Sequence, residues 1–282
     1  MSRTAGKAAP GKRAIRPLGV VGIVDTVFDV YKSHFLLLVG TGAVCSVPMG
    51  VYSVTGGRVS FFTPLYWVSA AAYCIIRAVQ VRAVAQSLLG LPVSLMGCIR
   101  GIFRRTVLMA VLTAGLLLQA VVFLPLSLGD APFIRRSPLS PVFLPVAFWT
   151  LYSELRFLVF TPAIVIEGKS AIDSLRRSWQ LTRGNAFKVF KVLALMTLPY
   201  FAASFARLII QRAAGPHHAV LPYLAGNVLS SVVAVVWQPI TVIAATVIYF
   251  DIRCRKEGFD IEILAEDANS GAIADEGGGG RT

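Results

Sequence analysis

Charge is scarce in this chain. Charged residues make up 15% of its 282 positions, and only 14 are acidic. A soluble domain carries about 25% charged residues, so an ordinary water-soluble domain is excluded. Histidine is scarcer, with three in all: His34, His217 and His218. Metal-assisted or acid–base hydrolysis needs His, Asp and Glu converging on one point. His34 stands at a helix start and reads as interfacial. His217 and His218 are adjacent in a loop with no carboxylate near them in sequence; a metal pair is open there, but an ordinary polar loop is the simpler reading. No GxSxG, HExxH or P-loop pattern occurs. No catalytic residue, metal site or cofactor is therefore assigned. The four cysteines, Cys45, Cys74, Cys98 and Cys254, include no CxxC pair and read as small apolar packing residues. The N-terminus is basic (Arg3, Lys7, Lys12, Arg13, Arg16) but lacks a short apolar core followed by a small-residue cleavage site, so no cleavable signal peptide is expected.

What the chain does have is apolar length. Hydrophobic residues make up 56% and mean hydropathy is +0.70. Runs near 35–54, 61–81, 107–128, 142–166, 189–210 and 224–250 approach or exceed the ~20 residues that a bilayer crossing needs. The expected fold is all-α: a polytopic membrane domain of about six crossings over residues 17–264. A basic segment, 1–16, and an acidic, Gly-rich tail, 265–282, flank it and are expected to be disordered.

The net charge of +13 would suggest nucleic acid in a soluble protein. In a membrane protein the positive-inside rule and anionic lipid explain it more simply. Most cations fall on one side, with the N-terminal cluster, Arg82 and Lys169. Arg58, beside the Gly56–Gly57 turn, and Arg135, Arg136 and Arg212 fall on the other. The first side is expected to be cytoplasmic, with both termini there and the protein in a bacterial inner membrane. Arg100, Arg104, Arg105, Arg176, Arg177, Arg253, Arg255 and Lys256 are the candidate contacts for anionic lipid.

One stretch carries most of the pattern, PAIVIEGKSAIDSLRRSWQLTRGNAFKVFKVLAL. Gly168 ends an apolar run, and Ser170 with Asp173 forms a capping box. Ile172, Leu175 and Trp179 fall on one helix face, with Asp173, Arg176, Arg177 and Gln180 opposite. Gly184 and Asn185 are stop residues. The spacing predicts a short amphipathic helix lying on the bilayer surface. Similar helices are read near Val20–Val24–Val27–Tyr31, with Asp25, Asp29 and Lys32 opposite, and after Ser94, where Gly97 and Gly101 form a GxxxG. Each precedes two crossings, which suggests three units of surface helix plus hairpin. Within the crossings, Glu154 and Arg156 are the polar residues that most need a partner. Two apart, they do not face each other; Arg77 and Arg82 are candidate partners for Glu154. Asn227 and Gln238 read as interhelical hydrogen-bonding glue, and Pro239 as a kink.

Three segments resemble a known family. Residues 160–190 (FTPAIVIEGKSAIDSLRRSWQLTRGNAFKVF) follow a bacterial Pro-Ala-hydrophobic-Glu-Gly … Arg-Arg-Ser-Trp … Arg-Gly pattern. Residues 248–264 (IYFDIRCRKEGFDIEIL) resemble its Tyr-hydrophobic-Asp-Leu-Arg … Glu-Gly-hydrophobic-Asp ending, and 16–35 resemble its opening. These features are similar to bacterial membrane proteins related to the membrane domain of glycerophosphoryl diester phosphodiesterase. The resemblance implies six helices and a cytoplasmic C-terminus. It implies no activity, because enzymes of that type place catalysis in a separate soluble barrel, which nothing here resembles. The expected function is non-enzymatic: contact with anionic lipid at the cytoplasmic face, or organisation of an unidentified protein partner, with no nucleic acid. The alternative is a small-solute transporter or channel using Glu154 and Arg156.

Overall fold

The computed structural model describes residues 17–54, 64–129, 143–213, 220–259 and 261, and every regular element among them is a helix. In order these are α1 (Val20–Ser33), α2 (Phe35–Val54), α3 (Pro64–Leu88), α4 (Leu95–Ile102), α5 (Arg105–Gly129), α6 (Phe143–Phe157), α7 (Phe160–Glu167), α8 (Ala171–Thr182), α9 (Ala186–Ala213) and α10 (Val220–Glu257). The basic N-terminal segment, the turn at Gly57, the Arg135–Arg136 loop, the His217–His218 pair and the acidic tail lie outside the described residues, as do the side chains of Cys45, Arg212 and Asn227.

The short helices α1 and α8 each precede a pair of long ones, whereas α4 precedes α5 and then the shorter α6 and α7. Five described segments are long and apolar enough to cross a membrane: Pro64–Leu88, Arg105–Val122, Phe148–Glu167, Ala186–Arg207 and Ser231–Glu257. Helix α2 has 20 residues, none of them charged, and its side chains are described through Val44. At 1.5 Å per residue it is about 30 Å long, the thickness of a hydrocarbon core. The chain is a multi-pass integral membrane protein.

The crossing expected as one helix over 142–166 is two, α6 and α7, broken at Leu158 and Val159. The cause is Pro162, which has no N–H and whose ring clashes with the carbonyl four residues earlier, that of Leu158. Arg77 Nη2 donates to that carbonyl from α3 at 3.3 Å. Cross-helix donors also reach the carbonyl three residues before each of two other helix prolines. Near Pro239, the Val236 carbonyl accepts from the Tyr31 hydroxyl at 2.8 Å; near Pro199, the Met196 carbonyl accepts from Trp237 Nε1. A membrane offers no water to backbone groups loosened by proline, so other helices supply the donors. Both α9 and α10 run through their prolines as single helices.

Helix α10 is the axis of the larger core. Ile240, Ile243, Val247 and Tyr249 pack there with Ile23, Val27 and Val30 of α1 and with Val189, Val192 and Met196 of α9. Helix α1 therefore differs from the surface helix expected: Ile23, Val27 and Val30 are fully buried in protein, while Asp25, Asp29 and Lys32 stay exposed. A smaller core joins α3, α4, α5 and α7 through Ala78, Cys98, Ile102, Ala110 and Ile164. Burial pushes the Cys98 thiol pKa up, as suits a packing residue.

Small residues set the close contacts. The GxxxG glycines do not bring two backbones together. Gly101 makes room for the Arg82 guanidinium, whose Cζ would lie 2.2 Å from a Cβ there, and Gly97 sits against the Ser94 oxygen that caps α4. The tight helix contact is elsewhere, where Cys74 Sγ of α3 would lie 2.4 Å from a Cβ at Gly115 of α5. Gly115→Ala should favour the helix by about 1 kcal/mol on propensity alone. Overpacking against Cys74 is expected to win, with a net loss of about 1–3 kcal/mol. Denaturant titration in detergent micelles checks this, and Cys74→Ala should restore most of the loss.

Candidate functional site

The end of α10 carries a charged stripe, and the rest of the site is built against it. Helix α7 stops at Glu167 because Gly168 takes a left-handed turn, φ 67°, which a side chain would resist. Ser170 then caps α8: its Oγ accepts from Asp173 N at 3.3 Å and donates to Asp173 Oδ2 at 2.6 Å. The reversal turns α8 back along α6 and α7. Ser178 and Thr182 donate to the Arg156 carbonyl at 2.8 and 3.3 Å, beside the helix break.

This folding produces two charged clasps. In the first, Arg177 grips Glu167 through both Nε and Nη2, at 3.1 and 3.0 Å to Oε1, and Nη2 also reaches Glu257 at 2.5 Å. The Tyr249 hydroxyl donates to Glu167 Oε1 at 2.5 Å, and Arg253 Nε donates to Glu257 at 3.0 Å with its guanidinium over Phe259. Burial alone would lower the Arg177 pKa; hydrogen bonds to Glu167 and Glu257 outweigh it and raise the pKa. Lys256 caps the end of α8, donating to the Gln180 and Arg183 carbonyls at 2.8 Å each.

In the second clasp the centre is Asp251, only 2% exposed. It accepts from Leu18 N at 2.7 Å, Lys188 Nζ at 2.5 Å and Arg255 Nε at 3.2 Å. Lys188 and Arg255 also donate to the Leu18 carbonyl, at 2.7 and 2.8 Å. One aspartate thus ties the segment before α1 to the start of α9 and the end of α10.

The candidate lipid-contact residues fall into two groups. Arg177, Arg253, Arg255 and Lys256 are committed to these clasps. Arg100, Arg104, Arg105 and Arg176 are exposed. Beside them stand exposed apolar side chains, Met96 and Phe103 on and after α4, Ile172 and Trp179 on α8. The buried side of α8 is Ser174, Ser178, Leu181 and Thr182; of its apolar stripe, Ile172 points outward, Trp179 is part-exposed against α6 and Leu175 packs on the smaller core.

The intramembrane candidates are also divided. Arg156 stacks against Trp179 and Tyr152, at 4.8 and 5.2 Å to the ring centroids, which places it beside α8. Gln238 pairs reciprocally with Gln80 at 3.1 and 3.4 Å, and Gln80 also donates to the Leu38 carbonyl at 3.0 Å. This is the interhelical bonding expected of Gln238. Glu154 is exposed, and among the described residues no ion pair within 4.0 Å joins it to Arg77 or Arg82. Sequence reasoning missed Glu167, Lys188, Tyr249, Asp251 and Gln80. The signal for the first four was present: with only 14 acidic residues in the chain, an acid at the end of an apolar run needs a cation or hydroxyl partner.

Residues 133–252 match the family model described as the membrane domain of glycerophosphoryl diester phosphodiesterase. The match spans less than half of the chain and takes in Glu167, Arg177, Lys188, Tyr249 and Asp251. It bears out the resemblance read from the sequence. No curated protein and no solved structure matches the chain.

Asp251→Asn leaves an acceptor for Leu18 N but strands Lys188 and Arg255. The expected loss is about 3 kcal/mol, read by denaturant titration, together with faster proteolysis around residues 16–18. Adding Lys188→Met should recover part of the stability, and strictly additive losses would contradict the clasp.

Proposed function

We propose that this is a non-enzymatic protein of the bacterial inner membrane. Its clasped end faces the cytoplasm and holds anionic lipid headgroups around α4 and α8. The observation that carries this reading is the pairing of exposed Arg100, Arg104, Arg105 and Arg176 with exposed Met96, Phe103, Ile172 and Trp179. Apolar groups beside uncompensated arginines are the composition of a helix seated between headgroups and acyl chains. Trp179 suits that depth, with a flat apolar body and one N–H. The clasps support it indirectly, because Arg177, Arg253 and Arg255 are neutralised internally and the exposed arginines remain for phosphate. The basic bias toward this end supports the cytoplasmic orientation.

Each exposed arginine should add about 1 kcal/mol of attraction to an anionic leaflet. The full chain, extracted from membranes of mixed phosphatidylglycerol and phosphatidylcholine, should retain phosphatidylglycerol preferentially in native mass spectrometry. Changing Arg100, Arg104, Arg105 and Arg176 together to Gln should cut that preference at least about tenfold with the melting temperature unchanged. An unaltered preference would reject the reading.

A further inference from the structure

The end of α6 carries a cation that the clasps do not use. Arg156, Tyr152 and Phe148 recur every four residues and form one stripe on α6. The Arg156 guanidinium lies 4.8 Å from the Trp179 ring centroid and 5.2 Å from that of Tyr152. The two rings meet edge to face at 5.9 Å, and Phe157 stands 6.1 Å from Trp179. Arg156 is therefore held in one orientation where α6 meets α8. Its Nε and Nη1 are enclosed with no hydrogen-bond partner among the described residues. The residue as a whole is part-exposed.

A second arginine shares the same indole. Arg176 is exposed on α8, three residues before Trp179 and so its neighbour on the helix surface. Asp173, the acid one turn before Arg176, is engaged with Ser170 at the cap. Glu154, two residues before Arg156, falls on another face of α6. The fold fixes how the two arginines are set. Ser178 and Thr182 donate to the Arg156 carbonyl, which pins α8 to α6. Leu175 packs on the smaller core and sets the rotation of α8. Along α6, away from α8, the stripe turns apolar. Phe148 stacks on Tyr152 at 6.3 Å and is 71% exposed. It lies about 12 Å along the helix from Arg156. Cations, then amphipathic rings, then an exposed apolar ring follow the order of headgroup, interface and acyl chain in a lipid.

We propose that Arg156, Arg176 and Trp179 form a seat for a lipid that bears two phosphates on one headgroup. One phosphate meets Arg156, the other meets Arg176, the link between them lies against Trp179, and an acyl chain follows Tyr152 and Phe148. A headgroup with a single phosphate leaves one of the two cations unmet. Because α6 and α8 are pinned together, little further ordering is needed on binding. Basic sites between helices at a cytoplasmic face suit headgroups of this kind. The inference rests on the reading of α8 as a lipid-contact helix and names the lipid that its α6-facing end selects.

The test is native mass spectrometry of the full chain released from nanodiscs, with cardiolipin as the two-phosphate probe. In a mixture of phosphatidylglycerol and phosphatidylcholine, retention of phosphatidylglycerol checks the broader reading. In a mixture of cardiolipin and phosphatidylglycerol matched for phosphate, the wild type should keep one cardiolipin with a preference of at least about tenfold. Arg156→Gln and Arg176→Gln should each remove most of that preference. Arg156→Lys, which keeps the charge but loses the planar stack, should weaken it too. Melting temperatures without cardiolipin show whether each variant folds; if Arg156→Gln does not, Arg156→Lys and the exposed Arg176→Gln decide the matter. The proposal is overturned if cardiolipin is not preferred over phosphatidylglycerol, if phosphatidic acid, with its single phosphate, is kept as tightly, or if the folded variants retain cardiolipin as the wild type does. Phosphatidylglycerol preferred over phosphatidylcholine, with no further preference for cardiolipin, rejects the two-phosphate seat alone; absence of both preferences rejects the broader reading as well.

Discussion

The carboxylate of Glu167 is where the three-dimensional arrangement of this protein is decided. It ends α7, and one of its oxygens accepts from Tyr249 of α10 and Arg177 of α8. That junction ties the end of α7 and the middle of α8 to α10, with α8 folded back over the break between α6 and α7. Arg177 extends the junction to Glu257, and Lys256 fixes the far end of α8. Such groups are costly to bury alone and stable only when every member is met. The Asp251 clasp two residues beyond Tyr249 applies the same rule to Leu18 and Lys188. The segments that gave the family resemblance are thus segments that touch one another, and their shared residues answer first to packing.

Much of the fold was legible because a bilayer allows few solutions. Apolar runs of the right length, no strand alternation and little charge left a helical bundle as the outcome. Local signals were equally direct. Ser170, Ser94 and Gly168 stop and start helices through bonds that depend only on near neighbours in sequence, and all three do so. The element order repeats in part: a short helix opens each group, but the second crossing after α4 is split into α6 and α7.

What the sequence hid was which partner each polar group would find. The 3.6-residue period showed that α1 had an apolar face, but not whether protein or lipid would cover it; Ile23, Val27 and Val30 turned inward onto α9 and α10. Pro162 was visible, but not the donors that meet the carbonyls at the break it causes: Arg77 from α3, and Ser178 and Thr182 from α8. Arg77 was read as a partner for Glu154, and it spends its one described hydrogen bond on the Leu158 carbonyl instead. Arg100 and Arg177 look alike in sequence. One is exposed and the other clasped, because Glu167 and Glu257 lie in elements that only the fold brings together. Non-local pairing of this kind leaves no periodic trace.

The account rests on Glu167 and Arg177 acting as one structural unit. The direct measurement is a double-mutant cycle in detergent micelles, comparing the stabilities of Glu167→Gln, Arg177→Gln and the double variant with the wild type. The account predicts two destabilising single changes and a coupling of about 1–3 kcal/mol between them. Additivity within about 0.5 kcal/mol would contradict it.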